Sequence, residues 1–139
     1  MTAHLPTPGS DSGSWGSILN SFLSVSLSAS GVVVGTAQQY TPSNNDTITL
    51  DLSLSNQHYI VMPTGNVTIA IAQDSANQIF LISITQDSIG SRTVTWFSSI
   101  RWVNGSVPTL TTGANKRDTF GFIRTGSGNY DGFVIGQNI

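Results

Sequence analysis

The chain has 139 residues, a formal net charge of −2, and only 9% charged residues against a typical ~25%. That length suits one domain able to bury most of its apolar surface, and not two. The weak negative charge gives no basis for nucleic acid or an anionic membrane as partner, and no apolar run approaches the ~20 residues of a membrane helix.

Zero cysteines exclude disulfides, thiolate zinc sites and cysteine nucleophiles together. The acidic residues are all aspartate, lysine occurs once, and Ser, Thr, Asn and Gln fill the gap. Long soluble helices draw on Glu, Lys, Ala and Leu, so this inventory points away from a helical fold. Thr, Val and Ile between Gly-, Asn- and Ser-rich turns point to an all-β one.

In chain order, residues 1–13 (MTAHLPTPGSDSG) carry two Pro and two Gly with little apolar content, and read as an extended arm. The start lacks the basic and apolar regions of a signal peptide, so secretion by that route is not expected. Trp15, Ile18, Leu19, Phe22 and Leu23 then fall at i, i+3, i+4, i+7 and i+8, one face of a helix. Ten residues are too few for a helix stable alone, so this stripe needs cover from the domain or from copies of itself. Residues 1–30 are therefore set apart as an N-terminal arm and short helix, with residues 31–139 as the β-domain.

From Leu23 the period falls to two, and residues 32–35 suit a short strand, followed by a polar loop over 38–45. Residues 47–55 alternate most clearly, with Ile48, Leu50, Leu52 and Leu54 expected inside. A short strand over 58–62, a turn at 63–66 and the alternating set Val67, Ile69 and Ile71 follow. After a polar loop at 73–78, residues 79–85 are the most continuously apolar and are expected to be central. Residues 93–96 alternate again, Asn104-Gly105 signals a turn, and Pro108 limits pairing after it. Phe120 and Phe122 share one side of a strand over 119–125, and residues 126–129 turn into a closing strand over 130–136. Glycines 121, 132 and 136 inside these strands suggest bulges or close backbone approach. Eight or nine short strands at near-regular spacing predict a β-sandwich of jelly-roll type, and no repeat of fixed period is apparent.

From about Asp46 onward, the runs DTITLDLSLSN, TGNVTIAIA, IFLISITQDSIGSRTVTW, IRWVNGSVPTLTTGANKRDTFGFI and GFVIGQN occur in order. Together they resemble a β-domain of tailed-bacteriophage virion proteins, found in tail fibres, head fibres and other small structural proteins. SWGSILNSFL near the start is also similar to a segment common at the beginning of phage fibre proteins. The resemblance implies a homotrimeric, non-enzymatic module on the virion surface, as capsid decoration or head fibre, and less as a short tail fibre. Its partners would be itself and, through the arm, phage capsid or tail proteins. The framework positions it implies are Asp87, Gly90, Arg92, Trp96, Trp102, Gly105, Pro108, Leu110, Asp118, Phe120, Gly132 and Gly136. Two positions depart from the pattern: Phe97 stands where Pro is common, and Tyr130-Asp131 where two aromatics are common.

No metal site or cofactor is expected, because the aspartates are scattered and the histidines are only His4 and His58. His58 is expected at the surface or rim. Without Glu, a glycosidase would need an Asp pair, and Asp118 with Asp131 is the pair best placed to meet, although Lys116-Arg117 suggests an ion-paired turn instead. No nucleophile-elbow or phosphate-loop motif is present, so no catalytic residue is assigned. Arg92, Arg101 and Arg124 are expected to pair with Asp across strands. The alternative function is recognition of host-surface glycan, with Trp102, Asn104 and Tyr130 as candidate contacts near turns.

Overall fold

The computed structural model describes residues 36–74 and 77–139. The candidate attachment helix (Trp15, Ile18, Leu19, Phe22, Leu23), the arm and the strand expected at 32–35 lie outside these residues. Among the described residues there are nine strands, and the only helical element is a 3-10 turn at Val103–Gly105. The all-β class follows directly.

The strands alternate between two sheets. β1 (Gln38–Tyr40), β3 (Gln57–Val61) and β5 (Ile79–Thr85) lie side by side in one, and β2 (Thr47–Asp51), β4 (Val67–Ala72) and β6 (Val94–Thr95) in the other. Every one of these pairings is parallel. Parallel neighbours need a crossover connection, and here a strand of the opposite sheet provides it. The chain from β1 to β6 is thus a two-layer coil. A jelly roll is antiparallel, so this connectivity differs from the expected one. The turn at 63–66, for example, carries the chain across to the other sheet and does not fold a hairpin back.

The second half returns to antiparallel pairing. β8 (Arg117–Gly126) runs against β5 and forms a hairpin with β9 (Asn129–Gly136), and β7 (Ile100–Trp102) adds in parallel to β9. The hairpin turns on Ser127-Gly128, where Gly128 has φ +66°. The larger sheet therefore has the order β1-β3-β5-β8-β9-β7, with β5 interior as expected.

One apolar cluster joins the sheets. β2 and β4 contribute Ile48, Leu50, Val67 and Ile69, and the larger sheet contributes Ile60, Phe80, Ile82, Ile84, Phe120 and Phe122. Each such side chain removed from water is worth about 1.5–3 kcal/mol. Trp96, Phe97, Trp102 and Tyr130 close one end with ring centroids 4.9–6.4 Å apart. Leu54 departs from the expected inward set and is 49% exposed. The strand ends at Asp51, whose Oδ1 accepts from Ser53 N–H and Oγ–H at 2.9 and 2.6 Å, and this turn breaks the alternation.

The outer face of the larger sheet keeps an apolar patch. Tyr59, Ile79, Ile123, Phe133 and Ile135 are all exposed on β3, β5, β8 and β9. A Cβ on Gly121 would lie 2.9 Å from Ile135 Cδ1 and 3.6 Å from Leu81 Cδ2, so these two side chains meet over that glycine. This is the close approach anticipated at Gly121.

Candidate functional site

The run QDSIGSR is a turn knotted by its own side chains. Arg92 donates through Nε and Nη2 to Asp87 Oδ2 at 3.0 and 2.8 Å, while Asp87 Oδ1 accepts from the N–H groups of Ile89 and Gly90. Arg92 thereby holds the Asp87 carboxyl below its ordinary range. Gln86 brackets the turn by bonding both backbone groups of Arg92. Asp118 does a similar task further on. It is buried and accepts from Thr111 N–H and Oγ–H at 2.6 and 2.8 Å and from Asn138 N–H at 2.9 Å, tying the 109–111 segment to the C-terminus. Its partners are therefore not Lys116 and Arg117. Nor does it meet Asp131, which lies opposite Ile123 and pairs with Arg101.

The three arginines considered above all pair with aspartate, but only one does so between strands. Arg101 reaches Asp131 from β7 to β9 at 2.8 Å. Arg92 pairs within its turn, and Arg124 reaches Asp74 in the loop after β4. That third pairing was invisible in the sequence, because the partners are fifty residues apart.

The candidate glycan residues separate on inspection. Tyr130 is only 4% exposed. Its ring lies edge-on to Phe80 and Phe97, and its O–H donates to Asp74 Oδ2 at 2.9 Å, so it presents no open face for a sugar to stack on. Burial first, and then the Asp74 carboxylate, push the Tyr130 hydroxyl up to about 12. The same Asp74 is held low by Arg124 and then by Tyr130. Trp102 is half-buried against Trp96, Phe120 and Phe122. A Cβ on Gly132 would sit 2.7 Å from Trp102 Cε3, which explains the glycine there. Asn104 is exposed at φ +62° in the 3-10 turn, a conformation Asn tolerates better than most residues.

His58 is not at the rim. It points inward from β3 and is 1% exposed. Nε2 lies 3.0 Å from the Ser55 carbonyl and Nδ1 3.2 Å from the Tyr40 hydroxyl. A carbonyl can only accept, so Nε2 carries the proton and Nδ1 accepts from Tyr40. Burial lowers its pKa below the ordinary 6.5, against the opposing pull of Ser55. Among the described residues, no group of three His, Cys, Asp or Glu side chains is placed to hold a metal ion.

A cleft opens where β6 leaves β4 after pairing with only Val67 and Thr68. Ile69, Ala70 and Ile71 form one wall, and Phe97, Ser98, Ser127, Gly128, Tyr130 and Asp74 the rest, around a volume of about 460 Å³. Of these residues only Tyr130 is among the candidate contacts read from the sequence. Comparison of the chain with family models, with curated proteins and with solved structures finds no match.

Proposed function

We propose that the chain is a non-enzymatic structural protein of a tailed-bacteriophage virion, displayed on the particle surface as a homotrimer in a capsid-decoration or head-fibre position. The observation that carries this reading is the use made of its reactive side chains. Asp46 and Asp51 hold turns, Asp87 and Asp118 hold loops, and Asp74 and Asp131 hold arginines. His58 is a buried strut between Tyr40 and Ser55. Among the described residues, the carboxylates and the histidine that an enzyme would aim at a substrate are aimed at the protein's own backbone and side chains.

The positions named by the phage resemblance have mechanical tasks of the same kind. Asp87, Gly90 and Arg92 build one turn, Trp102 packs on Gly132, and Asp118 anchors the C-terminus. The finer architecture in this reading is a sandwich with the two-layer plan of a jelly roll and a coiled first half. Support for the homotrimer comes from the apolar patch of Tyr59, Ile79, Ile123, Phe133 and Ile135, and from the amphipathic stripe of residues 15–23. In this reading residues 1–23 attach the trimer to capsid or tail proteins. Sedimentation equilibrium of the full chain at micromolar concentration should return three times the 14.7 kDa chain mass. A monomer mass there would remove the trimer from the proposal.

A further inference from the structure

Asn104-Gly105 is the only Asn-Gly pair in the chain. Glycine has no Cβ to shield its own nitrogen, so an asparagine before it is the one most open to attack on its carboxamide by the next backbone nitrogen. The surroundings leave this pair open as well. Both residues are exposed, and so are Val103, Ser106 and Val107 around them. The Asn104 amide has no hydrogen-bond partner among the described residues. The pair lies in a single 3-10 turn, whose hydrogen bonds are poorer than those of an α-helix. Asn104 sits at φ +62° and ψ 14°. Ring closure requires ψ to turn, and a Cβ on Gly105 would meet nothing within 4 Å, so the space to turn is there.

Neighbouring candidates each lack one of these conditions. Asn45, Asn115 and Asn138 share the left-handed backbone, yet Asp46, Lys116 and Ile139 follow them with a side chain beside the attacking nitrogen. The amides of Asn44, Asn66 and Asn129 are held by the Thr64 hydroxyl, the Thr93 N–H and the Ser127 carbonyl. Asp131-Gly132 is locked in the sheet, with its carboxylate on Arg101 and its glycine paired to both β7 and β8. We propose that Asn104 is a site of spontaneous deamidation, which leaves a new carboxylate on the exposed loop after β7. The Gly105 nitrogen loses its proton to solvent base and bonds to Asn104 Cγ. The Cγ–N bond of the amide breaks, and its nitrogen leaves as ammonia with a proton taken from water. Water then opens the succinimide at either carbonyl, giving aspartate or isoaspartate and a net charge one unit more negative than −2. The extra main-chain carbon of isoaspartate falls between Trp102, packed on Gly132, and the buried Leu110. Exposed residues 103–107 absorb it, so the sheets keep their packing.

The test holds the full chain in mildly alkaline buffer for days, once folded and once in denaturing urea. Peptide mapping by mass spectrometry, with isoaspartyl methyltransferase labelling, then follows each asparagine. In the folded chain Asn104 should convert before every other asparagine of the described residues. Its rate should lie within about tenfold of the rate in urea, because the fold adds little barrier at an open turn. Gly105→Ala should slow conversion by about tenfold or more. Asn104→Asp, which stands in for the aspartate product, should melt at the temperature of the unaltered chain. Protection beyond about tenfold in the folded state would overturn the proposal, as would faster conversion at another of these asparagines. So would a rate that ignores Gly105→Ala, or a lowered melting temperature for Asn104→Asp. The virion role does not require this chemistry, so failure here leaves that reading to its own measurement.

Discussion

Gly90 gives a sharp test of the turn that the QDSIGSR run builds. Its φ is +83°, and a Cβ there would lie 2.2 Å from the Thr112 carbonyl oxygen and 2.9 Å from the Ala114 nitrogen. Both are backbone atoms and cannot rotate aside. Gly90→Ala would have to push away a segment held by Ser91 N–H to Thr112 O at 2.9 Å and Asn115 N–H to Asp87 O at 3.0 Å. Strain at a left-handed non-glycine residue costs about 1–3 kcal/mol, and each hydrogen bond weakened adds about 0.5–1.5 kcal/mol. Restricting the unfolded chain returns about 0.4–1 kcal/mol. The net loss expected is about 2–4 kcal/mol. Gly105→Ala is the matched control, because φ there is +67° but a Cβ meets nothing within 4 Å. It should cost only the conformational part, about 1 kcal/mol. Urea unfolding of both variants, followed by tryptophan fluorescence, measures the difference. Two variants of equal stability would refute the claim that the 86–92 turn is braced against the 112–115 segment.

Two pH predictions follow from buried partners. His58 is held neutral by burial, so the unfolded chain takes up its proton first and stability falls as pH drops from about 6.5 through the lowered folded value. His58→Gln should flatten that limb in denaturation measured between neutral and mildly acidic pH, and an unchanged slope would contradict it. Tyr130 titrates the other way. Its stabilisation is complete below 10 and is lost as pH rises from 10 through about 12, a window that Tyr130→Phe should narrow. At neutral pH the same substitution removes a hydrogen bond to a carboxylate and should cost about 1.5–3 kcal/mol, read from the urea midpoint.

The strands were legible where the signal is local. Residues 47–52, the 79–85 strand and the β8–β9 hairpin announce themselves through alternation and a glycine turn. Their partners were not legible, because the coil pairs residues of different turns and the turns lengthen. Gln38 pairs with His58, Thr47 with Thr68, Gln57 with Leu81, and Val67 with Val94. No fixed spacing exists for a repeat search to find. β1 carries no strand signal, because Gln-Gln-Tyr has no apolar alternation, and it is held at the edge of the described sheet by backbone pairing to β3 and by Tyr40, which packs on the core and bonds His58. The inward place of His58 is masked in the sequence for a related reason. Polarity outweighed its position, although the burial pattern of β3 puts it on the same side as Ile60, with Tyr40 and Ser55 supplying its hydrogen bonds. Tyr130 shares the inward side of β9 with Gly132, so alternation could have placed its ring inside. Asp74 could not have been found, since nothing near it in the chain points to Arg124 or Tyr130.

As proposed, the chain works as a building block on a phage particle. Electron cryomicroscopy of purified particles, with the subunit located by the nine strands of its described residues, tests it most directly. The account predicts copies on the particle surface around local threefold axes, lost when residues 1–23 are deleted. Intact infectious particles that carry no copy of the chain would contradict it.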